Sequence, residues 1–414
     1  MTHKQLSNGN VVNEHAAHKL YVKQLELNSL LEITQAINSN LPEASLYKIF
    51  HFTILGNLNV KKLALYVLDS NWECKVNYGT KDNFKNKPLH KKILKCTTVC
   101  FPGKELQEYD EFSVIIPVAH KSNVLAYILA GGFEDSENLK DNSVISFLQT
   151  ISSIIIVAVE NKKLVRRELL QEAFKKELEI AREVQAMLFP KELPFNDNLK
   201  IVASYLPHLS IGGDYYDYMP IDADNFLICV GDVSGKGIPA ALLMSNFQAC
   251  LRTLVRQTCN LKEIVTELNY GILNNAKGER FITFFVAIIN TKNKTINYIN
   301  AGHNPIFLVP ANGKCQLLEK GTTVLGAFKD LPFLEDETLT YGENTLIFAY
   351  TDGLTETCND KNEEFGMERL EKILRAKSRF EISKLHSGLL KKLDTHKGAQ
   401  NYADDITCLS CLIN

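Results

Sequence analysis

From Glu160 to Leu188 the stretch ENKKLVRRELLQEAFKKELEIAREVQAML contains neither Gly nor Pro and is built from strong helix formers; Pro190 and Pro194 then end it. A helix this long needs either a partner along its apolar side or a compact unit at each end. Phe174, Leu178, Ala181 and Leu188 keep an approximate 4-3-7 spacing amid dense charge, the pattern of a two-stranded coiled-coil seam. Gln171 and Gln185 interrupt that pattern, so a lone exposed helix bridging two domains is the competing expectation. The chain accordingly reads as a polar N-terminal segment (1–24), a first domain (25–159), a helical linker (160–190) and a second domain (191–414).

The two flanking parts differ in texture. The first opens on a predicted amphipathic helix, Leu25 to Leu41, continues through strand-like runs at Lys62 to Leu68, Phe112 to Val118 and Val124 to Leu129, and closes on an apolar helix, Ser143 to Val159. That is the outline of a small α+β domain. In the second, predicted strands lie at Leu199 to Tyr205, Phe226 to Val230, Phe284 to Asn290, Thr295 to Ile299, Ile306 to Val309, Asn344 to Tyr350 and Ile406 to Ile413. Helices are expected at Pro239 to Thr258, Leu261 to Asn274 and Met367 to Ala376. Short turns such as NTKNKT join neighbouring strands, which predicts antiparallel hairpins and an antiparallel sandwich with helices outside.

Composition narrows the function classes. The chain has 46 Lys plus Arg against 48 Asp plus Glu, a net charge of −2, so nothing electrostatic points to nucleic acid or an anionic membrane as partner. The polar N-terminus lacks the apolar core of a signal peptide. The longest apolar run, Val144 to Val159, is broken by Ser146, Gln149, Thr150, Ser152 and Ser153 and falls short of the ~20 residues of a membrane span. A cytoplasmic protein without a membrane span is expected. The ten cysteines show no metal-site arithmetic. Cys408 and Cys411 have the C-x-x-C spacing but sit in a predicted strand that turns them to opposite faces, and Cys96 and Cys100 have no nearby second pair.

Chemistry concentrates where acids follow apolar strands: SIGGDYYDY (Asp214, Asp217), ICVGDVSGKG (Asp232), IFAYTDGLTE (Asp352) and NYADDITCLS (Asp404, Asp405). The glycine-rich loop at Asp232 is not a P-loop. Only three residues separate Gly231 from the Gly235-Lys236 pair, and Gly237 stands where a magnesium-binding hydroxyl belongs. Carboxylates that converge at one sheet edge repel unless a cation sits among them, and oxygen donors suit Mg2+ or Mn2+. Singly, each acid is also an ordinary turn residue.

Taken in order, LEIAREVQAMLFP, GGDYYDY, VGDVSGKGIPAALLMS, INAGHNP, YTDGLTET and ADDIT resemble the metal-dependent PPM-type serine/threonine phosphatases, in their bacterial SpoIIE/RsbU-like branch. The resemblance runs from about Ile180 to Ile413. It implies an αββα sandwich of antiparallel sheets with two divalent cations, Mn2+ or Mg2+, in a cleft at one edge. Residue by residue, it implies that Asp232 bridges both ions, that the Val233 carbonyl completes one shell, and that Asp352 and Asp404 hold the second ion. Asp214 would bind or orient a metal through water, with Asp217 the weaker candidate. Asp404 is preferred to Asp405 as ligand, although a swap of roles stays open. Gly213, Gly235 and Gly353 would let backbone approach the ions, and an attacking water activated there leaves no catalytic duty for Cys or His. His303 of the AGHNP turn then reads as structural, and Lys236 as either a phosphate contact or a solvent-facing cation.

The first domain resembles, more loosely, a GAF sensor module through LLEITQAINSNLPEASLYKIF and IIPVAHKSNVLAYILAGG; a PAS-like fold of similar outline is the alternative. The combined expectation is a cytoplasmic, homodimeric sensor phosphatase that dephosphorylates a phosphoserine or phosphothreonine protein, a STAS-type anti-sigma-factor antagonist by analogy. A non-catalytic phosphoprotein-binding scaffold is the alternative of a different class.

Overall fold

The computed structural model describes residues 3–58, 60–120, 123–133, 142–311, 314–375 and 381–414. The chain divides into two compact units, Met1–Glu172 and Ala173–Asn414. The first contains α1 (His3–Asn38), α2 (Glu43–Leu58), β1 (Lys62–Leu68), β2 (Trp72–Tyr78), β3 (Val114–His120) and β4 (Asn123–Gly131), and α3 (Asn142–Ala186) starts in it and crosses the boundary. The helix expected from Leu25 is the second half of α1. With no Pro and a single Gly among residues 1–24, nothing stops the helix, so the expected separate polar segment is helical from His3; Met1 and Thr2 lie outside the described residues. The strand missed from sequence, β2, carries WECKVNY, too polar to stand out.

Four antiparallel strands in the order β2-β1-β4-β3 form the sheet of this unit. Period-2 alternation sends Leu63, Leu65, Val67, Ala126, Ile128 and Ala130 into a core shared with Phe50, Ile54, Leu148, Ile151 and Ile155 of the helices. The opposite face, Ala64, Tyr66, Tyr127 and Leu129, packs against Phe84, Ile93 and Tyr109 of the long β2–β3 connection. Cys96 and Cys100 lie in that connection with their sulfurs 2.6 Å apart.

In the second unit β5 (Leu199–Leu206), β6 (Tyr215–Pro220) and β7 (Asn225–Val233) lead into α4 (Ile238–Val255) and α5 (Leu261–Ala276). Then come β8 (Ile282–Asn290), β9 (Thr295–Ala301), β10 (Ile306–Val309), β11 (Gln316–Leu318), β12 (Gly321–Thr322), β13 (Glu337–Thr340) and β14 (Thr345–Tyr350). The last elements are α6 (Asp352–Thr355), α7 (Met367–Leu374), α8 (Ile382–Lys397) and β15 (Ile406–Ile413). Ala376, expected to end a helix, lies outside the described residues.

A five-stranded sheet, β11-β10-β14-β15-β5, faces a six-stranded one, β12-β9-β8-β7-β6 with β13 also on β9. All pairings are antiparallel except β12 with β9. Phe226, Ile228 and Val230 of β7 meet Ile347 and Ala349 of β14 and Leu409, Cys411 and Ile413 of β15 between the sheets. Leu227 and Cys229 turn outward against Met244, Phe247, Leu251, Ile264 and Leu268 of α4 and α5. On the other side Phe348, Tyr350 and Cys408 pack against Leu370, Leu374, Leu385 and Leu389 of α7 and α8. This is the αββα sandwich, and burial on both faces is why its central strands read as unbroken apolar runs. Cys408 and Cys411 point into different layers, as the strand period requires.

Ser143–Ala186 and Ile238–Val255 are each long and apolar enough to cross a bilayer, more than their interrupted sequences suggested. Each puts part of its apolar surface into a core: Leu148, Ile151 and Ile155 in one case, Met244, Phe247 and Leu251 in the other. Ile228 is 1% exposed between the two sheets. Ile228→Ala is therefore expected to destabilise the fold by about 2–5 kcal/mol, read as a lower urea midpoint at an unchanged slope.

Candidate metal centre

The four predicted acids arrive from different elements. Asp214 closes the β5–β6 loop, Asp232 is next to last in β7, Asp352 opens α6 two residues after the end of β14, and Asp404 lies two residues before the start of β15. Each strand ends at the same edge of the sandwich, so side chains far apart in sequence act on one another electrostatically. Burial, then the charge of Asp232, holds the Asp214 carboxyl well above its usual range. Burial together with Asp352, Asp404 and Asp405 pushes Asp232 up to about 7. Asp352 is raised by burial and then by Asp404. Mutual elevation of this kind marks negative charges gathered in a poorly solvated place.

Neighbouring groups hold the acids rather than neutralise them. Asp214, 1% exposed, accepts from the hydroxyls of Thr351 at 2.7 Å and Thr407 at 2.6 Å. Those threonines stand beside Asp352 and Asp405 in the TDG and DDIT stretches, and their role was missed because Thr in a strand reads as β propensity. Lys236, placed from sequence at either a phosphate or solvent, lies 2.8 Å from Asp404 Oδ2 and donates to Ala403 O at 2.6 Å. Lys236 and Asp404 are both nearly half exposed, so the pair contributes little to stability.

The two ambiguous acids separate clearly. Asp405 is 6% exposed; its Oδ1 accepts from His208 N and its Oδ2 from Gly213 N, both at 2.7 Å. Both oxygens are spent on the loop that carries Asp214. Asp217, fully buried, faces α4, where Arg252 donates to it from Nε at 2.8 Å and Nη2 at 3.0 Å. Tyr215 and the Tyr218 N–H fill its remaining acceptor positions. Asp217 has no acceptor position left for an ion, whereas Asp405 spends one position of each oxygen on backbone.

Glycine is required here by close approach. A Cβ on Gly353 would lie 2.0 Å from Asp405 O, and one on Gly213 would lie 2.9 Å from Val233 O, so Gly213 leaves that carbonyl open beside the acids. Gly235 instead packs under the Arg280 guanidinium, which donates to Ser234 O at 2.8 Å and braces the loop after Asp232. Gln185, the polar interruption in the predicted seam, is 6% exposed. Its amide donates to Gly212 O at 2.7 Å and accepts from Gly212 N at 3.4 Å, tying the end of α3 to the loop of Asp214.

These donors, carboxylates and a main-chain carbonyl, fit a hard divalent cation and not zinc. Among the described residues no three His, Cys, Asp or Glu side chains gather around one point as a ready ligand set. The raised Asp232 gives a pH signature. The folded chain keeps this proton up to about pH 7, whereas the ordinary carboxyl loses it near 3.8; in that window the folded state binds more protons, so stability falls as pH rises. The melting temperature of metal-free protein is expected to drop from about pH 5 to about pH 8, less steeply in Asp232→Asn, and Mn2+ to raise it most at the alkaline end.

The family model for Stage II sporulation protein E (SpoIIE) matches residues 222–413. IcfG of Synechocystis sp. is 26% identical over 329 residues, 72% of this chain and 51% of IcfG, so the chain spans about half the length of that relative. The phosphoserine phosphatase RsbU of Bacillus subtilis is 30% identical over 231 residues, covering 54% of this chain and 68% of RsbU. Among solved structures, the SiaA-PP2C domain of Pseudomonas aeruginosa superposes with a TM-score of 0.53 at 19% identity, over 59% of this chain and 99% of that domain. The architecture is thus the PP2C fold. With its acids gathered at one edge of that sandwich, the chain belongs to the SpoIIE family of PP2C-type serine phosphatases.

Proposed function

We propose that the chain is a metal-dependent protein serine/threonine phosphatase that acts on a phosphorylated partner-switching regulator under the control of its first unit. The observation that carries this reading is the gathering of Asp214, Asp232 and Asp352, each raised by burial and by a neighbouring acid, a repulsion that a bound cation relieves once the protons are gone. Asp232 and the Val233 carbonyl would hold one ion and share Asp232 with a second, held also by Asp352 and Asp404, while Asp214 would orient a water ligand. When bound, the ions supply positive charge for the phosphoryl oxygens and lower the pKa of a water. The chain's own part is orientation. Thr351 and Thr407 fix the Asp214 carboxylate, Asp405 fixes the loop that carries it, and Lys236 offsets one of the gathered charges.

The phosphoserine activity named for RsbU supports a phosphoprotein substrate, and a STAS-type anti-sigma-factor antagonist is the finer reading. In the first unit, a four-stranded antiparallel sheet with helices on one face supports a GAF-like sensor of unidentified signal. Leu164, Val165, Leu169, Leu170, Phe174, Ile180 and Val184 of α3 are exposed, which supports a coiled-coil homodimer through that helix. Gln185 supplies a route by which the helix would act on the Asp214 loop. A cytoplasmic location follows the same analogy.

The full chain is expected to hydrolyse p-nitrophenyl phosphate only with Mn2+ or Mg2+. Asp232→Asn should lose about a thousandfold in kcat, the several kcal/mol that a metal contributes to such a transition state. Bound metal without turnover of this ester or of a phosphoserine protein would favour the scaffold reading.

A further inference from the structure

His303 follows β9 in the turn Gly302-His303-Asn304-Pro305 and is 7% exposed. Its Nδ1 lies 2.8 Å from Thr283 Oγ1 and its Nε2 lies 3.0 Å from Tyr350 O. A carbonyl oxygen only accepts, so Nε2 carries the ring proton and Nδ1 accepts from the Thr283 hydroxyl. Burial, which pushes this imidazole down to about 4, keeps it in that neutral form.

The two partners belong to different sheets. Thr283 is in β8 of the six-stranded sheet, directly opposite Asp232. Tyr350 ends β14 of the five-stranded sheet, one residue before Thr351 and two before Asp352. A buried histidine could be satisfied anywhere in a core; here each ring nitrogen ends on backbone or side chain adjoining a proposed ligand, one from each side of the cleft.

Apolar packing between the sheets is non-directional, so it does not by itself fix which groups meet across the cleft at its edge. A planar ring with one hydrogen bond at each end is a strut of fixed length. The turn that presents it is itself braced: Asn300 Oδ1 accepts from His303 N at 2.7 Å, and Asn300 Nδ2 donates to Leu318 O at 3.1 Å and Asn304 O at 3.3 Å.

We propose that His303 is a positioning residue that sets the spacing of the two sheets at the acid edge and thereby the affinity of the site for its cations. The proposal rests on the metal-dependent reading above. It assigns His303 no contact with substrate or ion.

The test uses the full chain and its variants His303→Ala, His303→Gln and Thr283→Val, the last nearly isosteric and lacking only the hydroxyl donor. Mn2+ affinity is measured by calorimetry, kcat and KM with p-nitrophenyl phosphate, and folding by the melting temperature of metal-free protein. His303→Ala and Thr283→Val are expected to weaken Mn2+ binding about tenfold or more, the usual effect of losing a group that orients ligands. At saturating Mn2+ kcat should fall with KM unchanged. His303→Gln, which keeps a donor toward Tyr350 O, should recover part of the affinity, and the Ala/Val double variant should bind Mn2+ no more weakly than His303→Ala alone, because both act through one strut. A Thr283→Val protein that melts like the parent and binds Mn2+ with parental affinity would overturn the proposal, as would a His303→Gln protein indistinguishable from His303→Ala. Should His303→Ala fail to fold, Thr283→Val and His303→Gln decide between these outcomes. A parent chain that binds no Mn2+ would instead overturn the metal-dependent reading itself.

Discussion

Carboxylates brought together out of water repel one another, and the second unit is arranged around that repulsion. Asp214, Asp232 and Asp352 are all held above their ordinary range by burial and by neighbouring acids. Such a cluster persists only if the surrounding fold is stable enough to impose it. The hydroxyls of Thr351 and Thr407 and the two backbone bonds to Asp405 each remove one freedom from the acids without supplying a counter-charge, and Lys236 offsets only part of the gathered charge, at Asp404. What remains is a set of oxygen donors poised for a hard cation.

The sandwich supplies the stiffness. Three apolar layers, one between the sheets and one under each helix pair, close-pack the strands so that their ends move little. Two loops, the end of β7 and the start of α6 then deliver one acid apiece to a common edge. Asp217 shows how strictly position decides role: three residues beyond Asp214, it sits on the α4 face and spends every acceptor on Arg252, Tyr215 and the Tyr218 N–H.

The helix α3 carries two kinds of surface. Its apolar residues from Leu164 to Val184 are largely exposed, an arrangement that favours a partner helix. Gln185 departs from that stripe and is buried against Gly212. A polar residue that weakens the heptad pattern is thus a fixed contact to the loop of Asp214. This explains why the seam read as interrupted: the interruption answers to a different partner.

The sequence by itself determined the strands Lys62 to Leu68, Ile306 to Val309 and Ile406 to Ile413, the antiparallel hairpins, and the grammar of acid after strand, because buried strands and turns write their period and breakers locally. It hid β2, β6 and α8, whose polar residues, such as Asp217 and His386, are paired only in the fold. It could not divide Asp404 from Asp405, adjacent in chain and alike in chemistry. Only tertiary structure decided that Asp405 binds backbone, that Thr351 and Thr407 hold Asp214, that Lys236 meets Asp404 and that His303 spans the two sheets. Those are contacts between residues up to 197 positions apart, as from His208 to Asp405, and no local pattern encodes which of two like groups will be turned toward the other.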